Sequence, residues 1–91
     1  MNSIEKIKKG LIDESELLEF VTDNDINIAI AVAESKFSTE PILDIAAHDK
    51  DREVRLAAVK NSNTGIKTLK LLSKDVDSEI ANIARLRLEG V

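Results

Sequence analysis

The chain has no cysteine, no tryptophan and no tyrosine, and only two phenylalanines, one proline and three glycines in 91 residues. Without cysteine, disulfides, thiolate chemistry and iron–sulfur ligation by this chain are excluded. Few aromatics means no stacking platform of the kind that holds single-stranded nucleic acid. The core must be built from Ile, Leu, Val and Ala, which suits closely packed helices. No apolar run approaches the ~20 residues a membrane-crossing helix needs. Met1-Asn-Ser-Ile-Glu-Lys lacks a signal-peptide core and carries an acid early. The expectation is a cytoplasmic protein with no membrane association. At this length residues 1–91 fit one domain, burying roughly 60–65% of the surface its unfolded chain exposes.

What is present is a period. Asp23, Asp49 and Asp75 stand 26 positions apart, as do Asp25, Asp51 and Asp77. Ile28, Val54 and Ile80 follow in register, then Ala31, Ala57 and Ile83, and Val32, Ala58 and Ala84. Leu17, Leu43 and Leu69 extend the same spacing, with Phe20, Ala46 and Leu72. A fixed period of this size marks a helical solenoid, whose repeats bury their apolar faces against their neighbours.

The helices can be placed from their ends. Ser3 caps a short first helix containing Ile4 and Ile7, closed by Lys8, Lys9 and Gly10. Its role is to cover the apolar side of the first repeat. Asp13-Glu-Ser-Glu16 reads as a capping box. Asp25, Asp51 and Asp77 cap three further helices. Ser38 or Thr39 caps the helix with Pro41 in its first turn, and Thr64-Gly65 opens the helix with Leu69 and Leu72. The fold is therefore expected to be all-α, with about three 26-residue repeats behind a capping helix. Some pieces are short enough for 3₁₀ geometry. Leu at position 31 or 57 is expected to overpack a helix contact.

The run Asp49-x-Asp51-x-x-Val54-Arg55-x-x-Ala58-Val59-x-Asn61-x-Asn63-Thr64, with Leu69 and Leu72 beyond it, resembles the leucine-rich repeat variant, a HEAT-like family. The resemblance covers residues 13–89 and is best in the middle copy. It implies a right-handed α-solenoid that serves as a scaffold or binding module. The Val-Arg pair occurs only as Val54-Arg55; the other copies read Ile28-Ala29 and Ile80-Ala81. The family's Asn-Pro before the second helix reads Asn61-Ser62 and Ser35-Lys36.

Three constellations invite chemistry. The Asp-x-Asp pairs lack the central Gly and distal Glu of a calcium loop, and each second Asp stands where a helix needs a cap. No metal or other cofactor is expected. His48 is the only histidine. It precedes Asp49, but no nucleophile or further group converges on it, so no catalysis is expected.

Arg52, Arg55, Lys60, Lys67, Lys70 and Lys74 make a basic middle repeat, and some HEAT-like proteins bind nucleic acid on such a surface. Acids interleave with them, and the net charge is −4. That charge is uneven. Residues 1–46 hold four Lys and ten acids, and residues 47–91 hold nine Lys/Arg and seven acids.

The preferred expectation is a non-catalytic adaptor for another protein, using Ile30, Arg55, Leu56 and Lys60 where the copies differ. Nucleic-acid binding through the basic residues is the alternative. Self-association through an open C-terminal end at Leu86, Leu88 and Val91 is the third reading.

Overall fold

Each Asp-x-Asp pair makes a turn and starts a helix. Asp23, Asp49 and Asp75 accept the backbone N–H two residues on, at 2.8, 2.8 and 2.9 Å. Asp25, Asp51 and Asp77 then do the same for Asn27, Glu53 and Glu79, at 3.0, 2.8 and 3.0 Å. These bonds occupy helix-initiating N–H groups that have no intrahelical partner.

The computed structural model describes residues 1–90, and these are all-helical, with seven α-helices and no strand. The helices are α1 (Ser3–Lys9), α2 (Glu14–Phe20), α3 (Ile26–Glu34), α4 (Glu40–Ala47), α5 (Arg52–Lys60), α6 (Ile66–Leu72) and α7 (Ser78–Glu89). None of them is 3₁₀: even the seven-residue pieces complete α-type bonds. None is long and apolar enough to cross a membrane.

Helix α1 packs on α3, α3 on α5 and α5 on α7, while α4 packs on α6. Helices α2, α4 and α6 close the other side against α3, α5 and α7. One buried cluster joins Ile7, Leu17, Val21, Val32, Ile42 and Val54. A second joins Val59, Leu69, Leu72, Ile80 and Ala84. The described chain measures 38 × 24 × 16 Å.

The 26-residue spacing reappears in buried and half-buried polar contacts. Asn61 Nδ2 donates to the carbonyls of Ala33 and Ser35, both at 2.9 Å. Arg87, 26 positions on, donates from Nη1 to the carbonyls of Val59 and Asn61, both at 2.8 Å. Ser38 Oγ donates to Val32 O, and Thr64 Oγ1 to Ala58 O, each at 2.6 Å. Among the described residues no buried side-chain nitrogen or oxygen lacks a partner.

Some caps differ from expectation. The first helix is capped by Asn2, whose Oδ1 accepts from Glu5 N–H at 2.9 Å, and Ser3 is its first helical residue. Ser38 spends its hydroxyl on Val32, and Thr39 occupies the N-cap of α4 without a capping bond. At α6 the N-cap is Gly65, whose N–H donates to the Glu40 carboxylate of the neighbouring helix. Thr68 also donates to Glu40. Gly10 closes α1 with φ 69°, and the Phe37 ring lies where a β-carbon would stand.

Candidate functional site

The residues singled out for binding separate into two groups. Ile30 on α3 and Leu56 and Lys60 on α5 line one shallow groove of about 180 Å³, together with Glu34, Glu53 and Ala57. Ile30 and Leu56 are half-buried, with Leu56 packed against the second cluster, and Lys60 and Glu34 are exposed. Adjoining hollows carry the surface from Lys60 and Asn61 back through Glu34 to Ala31, Lys36 and Lys8. The face thus has an apolar floor of Ile30, Ala31, Leu56 and Ala57 between charges of both signs. Glu34 and Ala57 were not among the binding residues expected from sequence, where Ala57 figured only as a packing position. Their register gave a signal, because Glu34 and Lys60 are 26 apart, as are Ala31 and Ala57.

Arg55 is not in this groove. Its Nε donates to Asp75 Oδ2 at 2.9 Å and its Nη2 to Asp75 Oδ1 at 3.3 Å. Its Nη1 donates to the carbonyls of Asp49 and Lys50, at 2.9 and 3.1 Å. The side chains of Arg55 and Asp75 are only 14% and 7% exposed. This is a bidentate pair that ties the start of α5 to the turn before α7.

Arg52 is also engaged. It meets Asp77 at 2.7 Å, Glu79 at 2.8 Å and Glu53 at 2.7 Å. These contacts raise the guanidinium further above its ordinary value, Asp77 contributing most, then Glu79 and Glu53. The same bond to Arg52, with the N–H of Ile80 next, pulls the Asp77 carboxyl down to about 2. Asp13 is held below the usual carboxylate range by the N–H of Glu16 and then the Ser15 hydroxyl.

Lys60, Lys67, Lys70 and Lys74 are exposed, and no acid of the described residues lies within ion-pair distance of them. His48 is exposed and follows α4, with Nδ1 donating to Asp44 O at 2.8 Å. No group of three or more His, Asp or Glu among the described residues is placed to hold a metal ion.

At the C-terminal end Leu86 is 66% exposed, while Leu88 is half-buried against the second cluster. Val91 lies outside the described residues. Arg52, Leu56 and Val59 turn α5 toward α7. Their register partners on α7 are Ser78, Asn82 and Arg85, all exposed. Comparison with protein-family models, curated proteins and solved structures gives no match to this chain.

Proposed function

We propose that the protein is a short α-solenoid of 26-residue repeats that binds another protein through the groove between α3 and α5 and has no catalytic activity of its own. The recurrence of caps and inter-helix bonds at 26-residue offsets supports the repeat reading. The right-handed sense is what the resemblance to the leucine-rich repeat variant implies. The observation that carries the binding reading is the gathering of Ile30, Leu56 and Lys60 on one open groove. An apolar floor rimmed by Lys60 and Glu34 suits a segment with apolar side chains flanked by charge. Of the four candidates Arg55 is reassigned: it acts on the fold, and the groove residues carry the contact.

The nucleic-acid reading draws support from Lys60, Lys67, Lys70 and Lys74, which are free to meet phosphates. It loses Arg52 and Arg55, both committed to carboxylates. Self-association by stacking on α7 draws support from exposed Leu86, but the row that would continue the α5 contact carries Ser78, Asn82 and Arg85, polar groups suited to water.

The test is affinity capture with the wild-type chain and with a Glu34→Lys/Lys60→Glu variant, followed by rebinding of the recovered protein in purified form. Binding by the wild type that the double reversal abolishes supports the proposal. Equal binding by both chains overturns it. So does a product that is nucleic acid alone, with an affinity that falls steeply with salt.

A further inference from the structure

Successive intervals of this chain can be compared position by position, because the turns at 23–25, 49–51 and 75–77 share one geometry. The interval between the second and third turns contains two guanidinium groups. Arg55 places two nitrogens on Asp75 and a third on the carbonyls of Asp49 and Lys50. Arg52 places Nε on Asp77 Oδ2 at 2.7 Å.

The interval between the first and second turns offers the corresponding acceptors and no arginine. Its residues at the two positions are Ala29 and Ile26. The space stays open as a cleft of about 440 Å³ lined by Asp23, Asn24, Ile26, Ala29, Asp49 and Asp51, with Lys50 and Val54 also on its wall. Asp49 commits Oδ1 to the turn amide of Asp51, and Asp51 commits Oδ1 to the Glu53 amide in the first turn of α5. Their Oδ2 atoms correspond to those that hold arginine on Asp75 and Asp77, and they accept no bond from the described residues. The carbonyls of Asp23 and Asn24, which correspond to those of Asp49 and Lys50, also receive no donor there.

We propose that this cleft receives the guanidinium of an arginine carried by a protein partner. The filled interval supplies the template: a carboxylate facing two carbonyls, with an apolar wall for the side-chain stem. A planar fork of five N–H donors satisfies that set, whereas an ammonium, a point charge with three donors, does not match its spread. The charge is complementary, since Asp23, Asp49 and Asp51 outnumber the one lysine on the wall. The cleft shares no residue with the groove at Ile30, Leu56 and Lys60, so either can fail without the other.

The test is an amide-resolved NMR titration of the full chain with N-acetyl-arginine amide, and separately with N-acetyl-lysine amide. Saturable shifts at Asn24, Asp25, Ala29 and Asp51 are expected with the arginine compound, at about millimolar affinity for so small a probe, with little response to the lysine compound. Asp49→Asn keeps an oxygen for the turn amide and removes the charge. It is expected to weaken binding roughly tenfold, the effect of one charge-assisted bond. Ala29→Arg, which supplies the missing arginine within the chain, is expected to abolish binding. Three results would overturn the proposal: no saturable shifts, an equal response to both compounds, or an Asp49→Asn chain that binds as well as wild type. Should Ala29→Arg not fold, the Asp49→Asn comparison decides alone.

Discussion

Arg52 and Arg55 stand one helical turn apart, and their surroundings give them different weight. The Arg55–Asp75 pair is largely withdrawn from water. Arg55→Ala leaves a carboxylate uncompensated and two carbonyls without their donor. It is expected to cost about 3 kcal/mol, measured as a shift in urea midpoint, with Arg55→Lys restoring only part because it lacks the fork. Arg52 is itself partly exposed, with half-buried Asp77 and exposed Glu53 and Glu79 around it, so its bonds are screened by salt. Its effect is legible through pH. Asp77 has a lower pKa folded, about 2, than the ordinary value near ~3.9. Its contribution is therefore complete above roughly pH 4 and is lost as pH falls toward 2. Asn caps helices as well as Asp. Asp77→Asn is accordingly expected to be less stable than wild type at pH 6, and thermal melts of the two chains should converge as pH approaches 2. The sequence marked Arg55 as a departure between copies, but its partner is not 26 positions away. Asp75 is 20 residues on, across two turns and a helix. Spacing alone could not place that contact, and so could not separate an arginine that holds the fold from one that greets a partner.

Among the elements, the starts of α2, α3, α5 and α7 were legible because an Asp side chain in extended backbone has one efficient use, to accept the orphan N–H groups. The starts of α4 and α6 were less so. Their N-cap positions, Thr39 and Gly65, fall where the sequence placed them, but neither helix is capped by its own side chain: Thr39 gives its hydroxyl to Glu14, and the Gly65 N–H donates to Glu40 of a neighbouring helix, which no local pattern announces. The alanines divide similarly. Ala31 and Ala57 share a face with the groove, whereas Ala58 is fully buried between helices. Leu at position 58 is expected to cost ~1–3 kcal/mol by overpacking, and Leu at position 57 less, since its branch can reach the groove. Paired denaturation curves check the order. Equal losses would mean that position 57 is as enclosed as position 58.

At the scale of the molecule, the proposed array makes a demand that a globule without a repeating plan does not. If each interval packs only on its neighbours, a second copy of Asp49–Lys74 inserted after Lys74 has compatible surfaces on both sides. The inserted turn then meets the first Arg55 as Asp75 does now. Such a chain is expected to fold, gain helical signal in proportion to its length and melt at a higher temperature. Small-angle scattering should show it longer along the 38 Å axis. An unfolded or aggregated product would count against the array. On the proposed array, the groove and the cleft are both products of one plan. The same sequence positions recur, and the proposed binding sites lie where the usual residue is replaced: Ile30, Leu56 and then Asn82 along the row, and Ala29 where Arg55 stands one interval later. The most direct measurement is photo-crosslinking in the native cell with the reactive residue at position 60, compared with the same residue at position 70. The expected result is one protein captured from position 60 and not from position 70, which binds the purified wild-type chain and not the Glu34→Lys/Lys60→Glu variant. Capture from position 70 alone, or capture of nucleic acid alone, would contradict a protein-binding groove between α3 and α5.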